Sequence, residues 1–171
     1  MVDLIMVEDR KDDRKGLLEI GIKSEIAAQE AYGKLIERDL PKSFENKLVF
    51  LQREEEGHEE TLRGIFEELY PDEEPDLPSE SVVPMPEIEF DEGDSVSDIL
   101  EAAMKSEIES EEFYRDLSRE FDEDSKEFKL LDYLSRMERG HYEIIKNQLD
   151  SIKTFGNFKN FFKNIGSGRG L

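Results

Sequence analysis

The chain has 171 residues, enough for one domain with a core of its own. It contains no cysteine, which excludes disulfides, thiolate zinc sites and iron–sulfur clusters, so any metal must sit among oxygen and nitrogen ligands. A formal charge of −21 argues against nucleic acid as a partner, and no apolar run approaches the ~18 residues of a membrane span.

Residues 1–12 read as a mixed lead-in, irregular or briefly helical. The charged run from Glu8 to Lys15 is unlike a signal peptide, and a cytoplasmic location is expected. A first helix is expected from about Asp13 to Asp39 on the stripe Leu18, Ile22, Glu25, Ala28, Tyr32, Leu35, spaced by threes and fours. Leu40-Pro41 ends it, because a residue before proline is pushed out of the α region. Pro41 then opens a second helix or stands just before it, with Ser43 as an alternative N-cap. That helix runs to about Tyr70 on Phe44, Leu48, Leu51, Glu55, His58, Leu62, Ile65, Leu69. Glu55 and His58 occupy positions where leucine is expected, and charges on a buried stripe need a partner.

Pro71 to about Asp94 holds five of the six prolines and many acids, so it reads as a crossover. A third helix is expected near Ser95 or Ser97, where Ser95-Val96-Ser97-Asp98 resembles a capping box with Asp98 in place of Glu. Its stripe is Leu100, Met104, Glu107, Ser110, Tyr114, Leu117. After the polar turn Asp122-Glu123-Asp124-Ser125 a fourth helix runs to about Ile152 on Leu131, Leu134, Glu138, His141, Ile145, Leu149, again with a charged pair inside an apolar stripe. The expected organisation is an all-α bundle over 13–152, built from hairpins 13–70 and 95–152 joined by the crossover 71–94.

From Lys153 on there are four cations and no acid, which leaves −21 − 4 = −25 on the body. Within this tail, 153–171, Phe155, Phe158, Phe162 and Ile165 fall at helical spacing beside Lys159 and Lys163. The tail reads as a short amphipathic helix packing on the bundle or a neighbouring subunit, or as a basic aromatic segment for a membrane or acidic partner.

The two histidines carry the sharpest signal. Arg53-Glu54-Glu55-Glu56-Gly57-His58 is matched by Arg136-Met137-Glu138-Arg139-Gly140-His141, each with Glu three residues before His. On a helix, positions i and i+3 share a face, so a carboxylate and an imidazole can converge on one point. With 29 glutamates in the chain, both histidines would have Glu at that place by accident in roughly 3% of such sequences. The halves also repeat around these pairs. Leu18-Glu19 and Lys23-Ser24-Glu25-Ile26 align with Leu100-Glu101 and Lys105-Ser106-Glu107-Ile108 at an offset of 82, which Tyr32 and Tyr114 keep; Leu51, Arg53, Glu55, Gly57 and His58 align with Leu134, Arg136, Glu138, Gly140 and His141 at 83. A duplicated helical hairpin brings four carboxylates (Glu25, Glu55, Glu107, Glu138) and two imidazoles (His58, His141) to one level, a set that suits two divalent metals.

This pattern resembles the ferritin-like di-iron carboxylate superfamily, and most closely its rubrerythrin branch, over roughly residues 13–152. The resemblance implies a ferritin-like four-helix bundle, with Glu25, Glu55, His58, Glu107, Glu138 and His141 as ligands of two iron ions, manganese or a mixed pair being the alternative. It makes Tyr32 and Tyr114, each seven residues after a ligand Glu, candidates for orienting ligand carboxylates. The implied activity is a di-iron oxidoreductase that reduces peroxide or O₂; a ferroxidase or an iron storage or delivery protein is the alternative. Rubrerythrins proper carry a rubredoxin domain with cysteine-bound iron, and this chain has no cysteine, so an external electron donor such as a rubredoxin-type protein is expected. Some rubrerythrins place a further Glu one turn after the third-helix ligand, where this chain has Ser110; that ligand set is closer to the symmetric bacterioferritin type. A homo-oligomer, dimer or larger, is expected. The end, Ile165-Gly166-Ser167-Gly168-Arg169-Gly170-Leu171, resembles the cargo signals of ferritin-like proteins packed in encapsulin shells.

Overall fold

Local chemistry sets the helix starts. Ser95 caps α3 (Val96–Ser118) through a reciprocal capping box: the Asp98 amide donates to Ser95 Oγ at 3.2 Å, and the Ser95 amide donates to Asp98 Oδ2 at 3.3 Å. Pro41 precedes α2 (Lys42–Leu69) at the N-cap position, where its missing N–H costs nothing, and its carbonyl accepts from the amides of Phe44 and Glu45. Four helices and no strand are present among the described residues, the first and last being α1 (Asp3–Ile36) and α4 (Lys126–Ser167). The computed structural model describes residues 3–38, 40–78 and 94–167, with side chains described over 14–38, 40–78 and 94–154.

The outer helices are longer than the periodicity suggests. α1 begins at Asp3, not near Asp13, because residues 3–12 contain no proline or glycine to break it. α4 passes the expected end near Ile152 and continues to Ser167, so the backbone of the tail prolongs α4 instead of forming a separate short helix. Gly156 does not stop it; an isolated helical glycine costs only ~1 kcal/mol. The tail side chains and the cargo-like end, together with Pro84 and Pro86 of the crossover, lie outside the described residues.

α1 packs along α2 and α3 along α4, with α2 and α4 also in contact. Cross-links fix the directions. Gln52 reaches the carbonyl of Gln29, Lys15 pairs with Glu73, Ser135 reaches the carbonyl of Glu111, and Lys153 pairs with Glu101, so both hairpins are antiparallel. Tyr32 bonds Glu107 while Tyr114 bonds Glu25, which makes α1 and α3 antiparallel too. α2 and α3 therefore run in the same direction, and the connection between them must traverse the bundle, as expected for a ferritin-like four-helix bundle. Its first residues turn back along α1: the Asp76 amide donates to Glu19 at 3.0 Å, and Leu77 packs on the core.

The core is divided into two apolar clusters. One gathers Tyr32, Leu35, Leu48, Leu51, Leu100, Ile145 and their neighbours; the other gathers Leu18, Ile22, Leu62, Phe66, Tyr114, Leu131 and theirs. Each fully buried aliphatic side chain contributes roughly 1.5–3 kcal/mol. The level between them is filled by charged side chains.

Candidate metal centre

The helical stripes place all six sequence-predicted ligands in that middle layer. Glu25, Glu55, His58, Glu107, Glu138 and His141 are each no more than 4% exposed. The imidazoles lie nearly parallel, with ring centroids 5.2 Å apart and planes at 15°. Ligand atoms of Glu55, His58, Glu138 and His141 all lie within 4.8 Å of one another, a group that could hold metal.

The oxygens divide evenly between the two rings. Glu55 sets Oε2 3.0 Å from His58 Nδ1 and Oε1 3.1 Å from His141 Nδ1. Glu138 sets Oε1 2.8 Å from His58 Nδ1 and Oε2 3.4 Å from His141 Nδ1. These two carboxylates thus span both halves, whereas Glu25 Oε2 faces His58 alone at 3.7 Å and Glu107 Oε2 faces His141 alone at 3.5 Å. The arrangement is two half-sites, Glu25/His58 and Glu107/His141, joined by Glu55 and Glu138.

The tyrosines cross between hairpins. Tyr114 of the second hairpin donates to Glu25 Oε1 of the first, and Tyr32 of the first donates to Glu107 Oε1 of the second. Each terminal carboxylate therefore has one oxygen tied by a phenol and the other turned toward an imidazole.

The donor set fits a pair of cations. Both imidazole Nδ1 atoms have carboxylate oxygens within 2.8–3.7 Å, yet none approaches in hydrogen-bond geometry, and both Glu55 oxygens and Glu138 Oε1 are likewise buried without a hydrogen-bond partner. Oxygens clustered around a nitrogen without lying along its N–H bond form a donor set that could share a cation. Four carboxylates balance the charge of two divalent ions, and carboxylate with imidazole suits iron, manganese or zinc.

The rubrerythrin family model matches residues 16–149. This chain belongs to the rubrerythrin family. Among solved structures, a hypothetical protein from Pyrococcus furiosus is 31% identical, with a TM-score of 0.73 over 83% of this chain and 91% of that one. No curated protein matches the sequence. The family is one of ferritin-like di-iron proteins, in keeping with the bundle and its buried Glu/His layer.

Without metal, the rubrerythrin-family layer must hold its charge with protons. Burial acts to lower His58, but Glu138, Glu25 and Glu55 outweigh it and push the imidazole up to about 12. His141 is raised for the same reason, by Glu107, Glu138 and Glu55 against the effect of burial. Burial raises Glu25 to about 7, opposed by His58. Burial also acts to raise Glu55, yet its place between both imidazolium groups brings it down to about 2. Glu138 has the same two neighbours and nevertheless goes up, through burial and then the negative charges of Glu55 and Glu25. The layer titrates as a unit: once Glu55 is charged, it holds its counterpart protonated. Tyr32 and Tyr114 are raised well above their ordinary value, first by burial and then by the carboxylates they touch, so both phenols remain donors.

Several supporting residues carry no sequence signal. Glu59 has the spacing of a solvated surface residue, yet it is only partly exposed: it accepts from Gln29 Nε2 at 2.8 Å and pairs with Arg63 at 2.7 Å. Gln52 and Ser135 tie their helices to carbonyls beside the centre, and no spacing rule distinguishes them from other polar residues. The offset of 83 does place Ser135 opposite Gln52, which is the one cue the sequence offers.

Proposed function

We propose that this chain is a rubrerythrin-type di-iron oxidoreductase that reduces peroxide with electrons from a separate donor protein. The observation that carries this reading is the pair of half-sites, one imidazole and one terminal carboxylate each, spanned by Glu55 and Glu138. Iron bound there would supply the electrons for reducing peroxide or O₂. Glu25, Glu55, His58, Glu107, Glu138 and His141 would hold it, Tyr32 and Tyr114 would fix the terminal carboxylates, and the two apolar clusters would keep bulk water from the polar layer. The lack of cysteine supports a separate donor of rubredoxin type, and the protein would work in the cytoplasm; no helix among the described residues is long and apolar enough to cross a membrane.

The ferroxidase reading is favoured by one feature: Ser110, buried one turn after Glu107, offers no further carboxylate, and the remaining ligand set is symmetric. Anaerobic loading with ferrous iron followed by stopped-flow mixing separates the two. About two iron atoms per chain and faster oxidation by peroxide than by O₂ are expected; O₂ as the faster oxidant, with many iron atoms retained per chain, sinks the peroxidase reading.

A further inference from the structure

Away from the metal layer, a groove of about 430 Å³ lies between Leu17 of α1 and a stripe of α3 formed by Glu109, Glu112, Phe113, Asp116 and Leu117, with Glu120 in the turn just past the helix end. Phe113 and Leu117 form an apolar floor on the stripe, while Glu112, Asp116 and Glu120 are exposed beside it. Asp116 pairs with Arg119 and Glu109 with Lys105, but Glu112 and Glu120 meet no cation among the described residues. The groove is apolar at its base and acidic along its side.

The chain contains a segment with the opposite character. The extension of α4 carries Phe155, Phe158, Phe162 and Ile165 at spacings of three and four, with Lys159 and Lys163 four residues apart, as Glu112 and Asp116 are. α4 remains helical to Ser167. From Phe155 to Ile165 is about 15 Å of helix, and the α3 part of the groove, Glu109 to Leu117, is about 12 Å, with Glu120 in the turn beyond it. Charge and apolar spacing match.

The segment cannot be this chain's own. Lys153 pairs with Glu101 at 2.8 Å, which sets the level of α4 against α3. The helices are antiparallel, so beyond Lys153 the extension moves toward the start of α3, while the groove begins eight residues from Glu101 in the other direction. We propose that the C-terminal extension of α4 from a second copy of this chain docks in the α1/α3 groove, with its phenylalanines over Phe113 and Leu117 and its lysines along Glu112, Asp116 and Glu120.

The test uses the full chain in sedimentation equilibrium. Wild type is expected to self-associate at tens of micromolar, more weakly as salt is raised. K159E/K163E on the extension and E112K/E120K on the groove should each weaken association by about tenfold, and the fourfold variant, with both sides reversed, should recover it. Helical circular dichroism and metal content should be unchanged in all three, since Glu112 and Glu120 are exposed and Lys159 and Lys163 stand 18 and 22 residues beyond His141 along α4. A wild type that stays monomeric, an association indifferent to either reversal, or a fourfold variant no tighter than its parents overturns the proposal.

Discussion

In the first hairpin the carbonyl of Gln29, four residues after Glu25, accepts from Gln52 Nε2 at 3.1 Å; in the second the carbonyl of Glu111, four residues after Glu107, accepts from Ser135 Oγ at 2.9 Å. Positions 52 and 135 correspond at the repeat offset, so the same tie is made by a long side chain in one copy and a short one in the other. The neighbours have adjusted to match. Gly33 leaves room for the glutamine, since a Cβ there would come within 3.0 Å of Gln52 Nε2. Its counterpart at the repeat offset, Arg115, carries a long side chain instead and pairs with Glu111 at 2.5 Å. Glu59 likewise meets Gln29 and Arg63, where its counterpart Tyr142 lies under Arg139 and Lys146. The two copies have diverged at these ties, and agree at all six residues that converge within the layer and at the two tyrosines that bond its terminal carboxylates.

That contrast can be broken most severely at the spanning carboxylates. Glu55→Leu and Glu138→Leu each remove a residue that serves both half-sites, so each should reduce bound metal from about two ions per chain to one or fewer, by elemental analysis after anaerobic loading. Equal losses would support the equivalence of the hairpins; unchanged metal content in either variant would remove that residue from the ligand set.

Much of this was legible in the sequence. Glu55 and His58 interrupt an otherwise leucine-like stripe, their copy lies 83 residues on, and Glu25 and Glu107 align at 82; together these place the whole Glu/His layer and the duplicated bundle. The lengths of α1 and α4 were not legible, because their outer turns need no buried stripe to stay helical and periodicity is silent there. The crossing of the tyrosines was not legible either: a seven-residue spacing puts Tyr32 on the same face as Glu25, but its hydroxyl meets Glu107 of the other hairpin.

The crossing gives the second test. Tyr114→Phe should weaken the ion held by Glu25 and His58, and Tyr32→Phe the ion held by Glu107 and His141, each by about 10- to 100-fold in affinity while its partner is spared. Stepwise metal titration followed by spectroscopy resolves the two. A loss on the hairpin that contains the mutated tyrosine would contradict the crossed arrangement.

Protons come next in size. His58 stands at about 12 and His141 is also raised in the metal-free protein, so both imidazoles are protonated near neutrality and must lose a proton before their nitrogens can coordinate. Falling pH favours the protonated state; apparent affinity should drop with acidification, and loading at pH 7 should release protons. Calorimetry in buffers of different ionisation enthalpy measures that release, and none at all would show that the imidazoles are not ligands.

The smallest effect belongs to the diverged ties. Gln52→Ala and Ser135→Ala each delete one hydrogen bond to a helix carbonyl and should cost about 1 kcal/mol in denaturant unfolding, with little change in metal content. If only one of them matters, the support is lopsided where the Glu/His layer is symmetric.

By itself the sequence determined which residues share a helix face and that the second half repeats the first, because both are properties of spacing along the chain. It therefore placed six ligand candidates and a four-helix fold. Only the tertiary structure decided which carboxylates span both imidazoles, which phenol holds which glutamate, and that the charged layer separates two apolar clusters. Those relations join residues 75 and 89 positions apart, and they depend on how the helices pack across the bundle, which no spacing within a helix records.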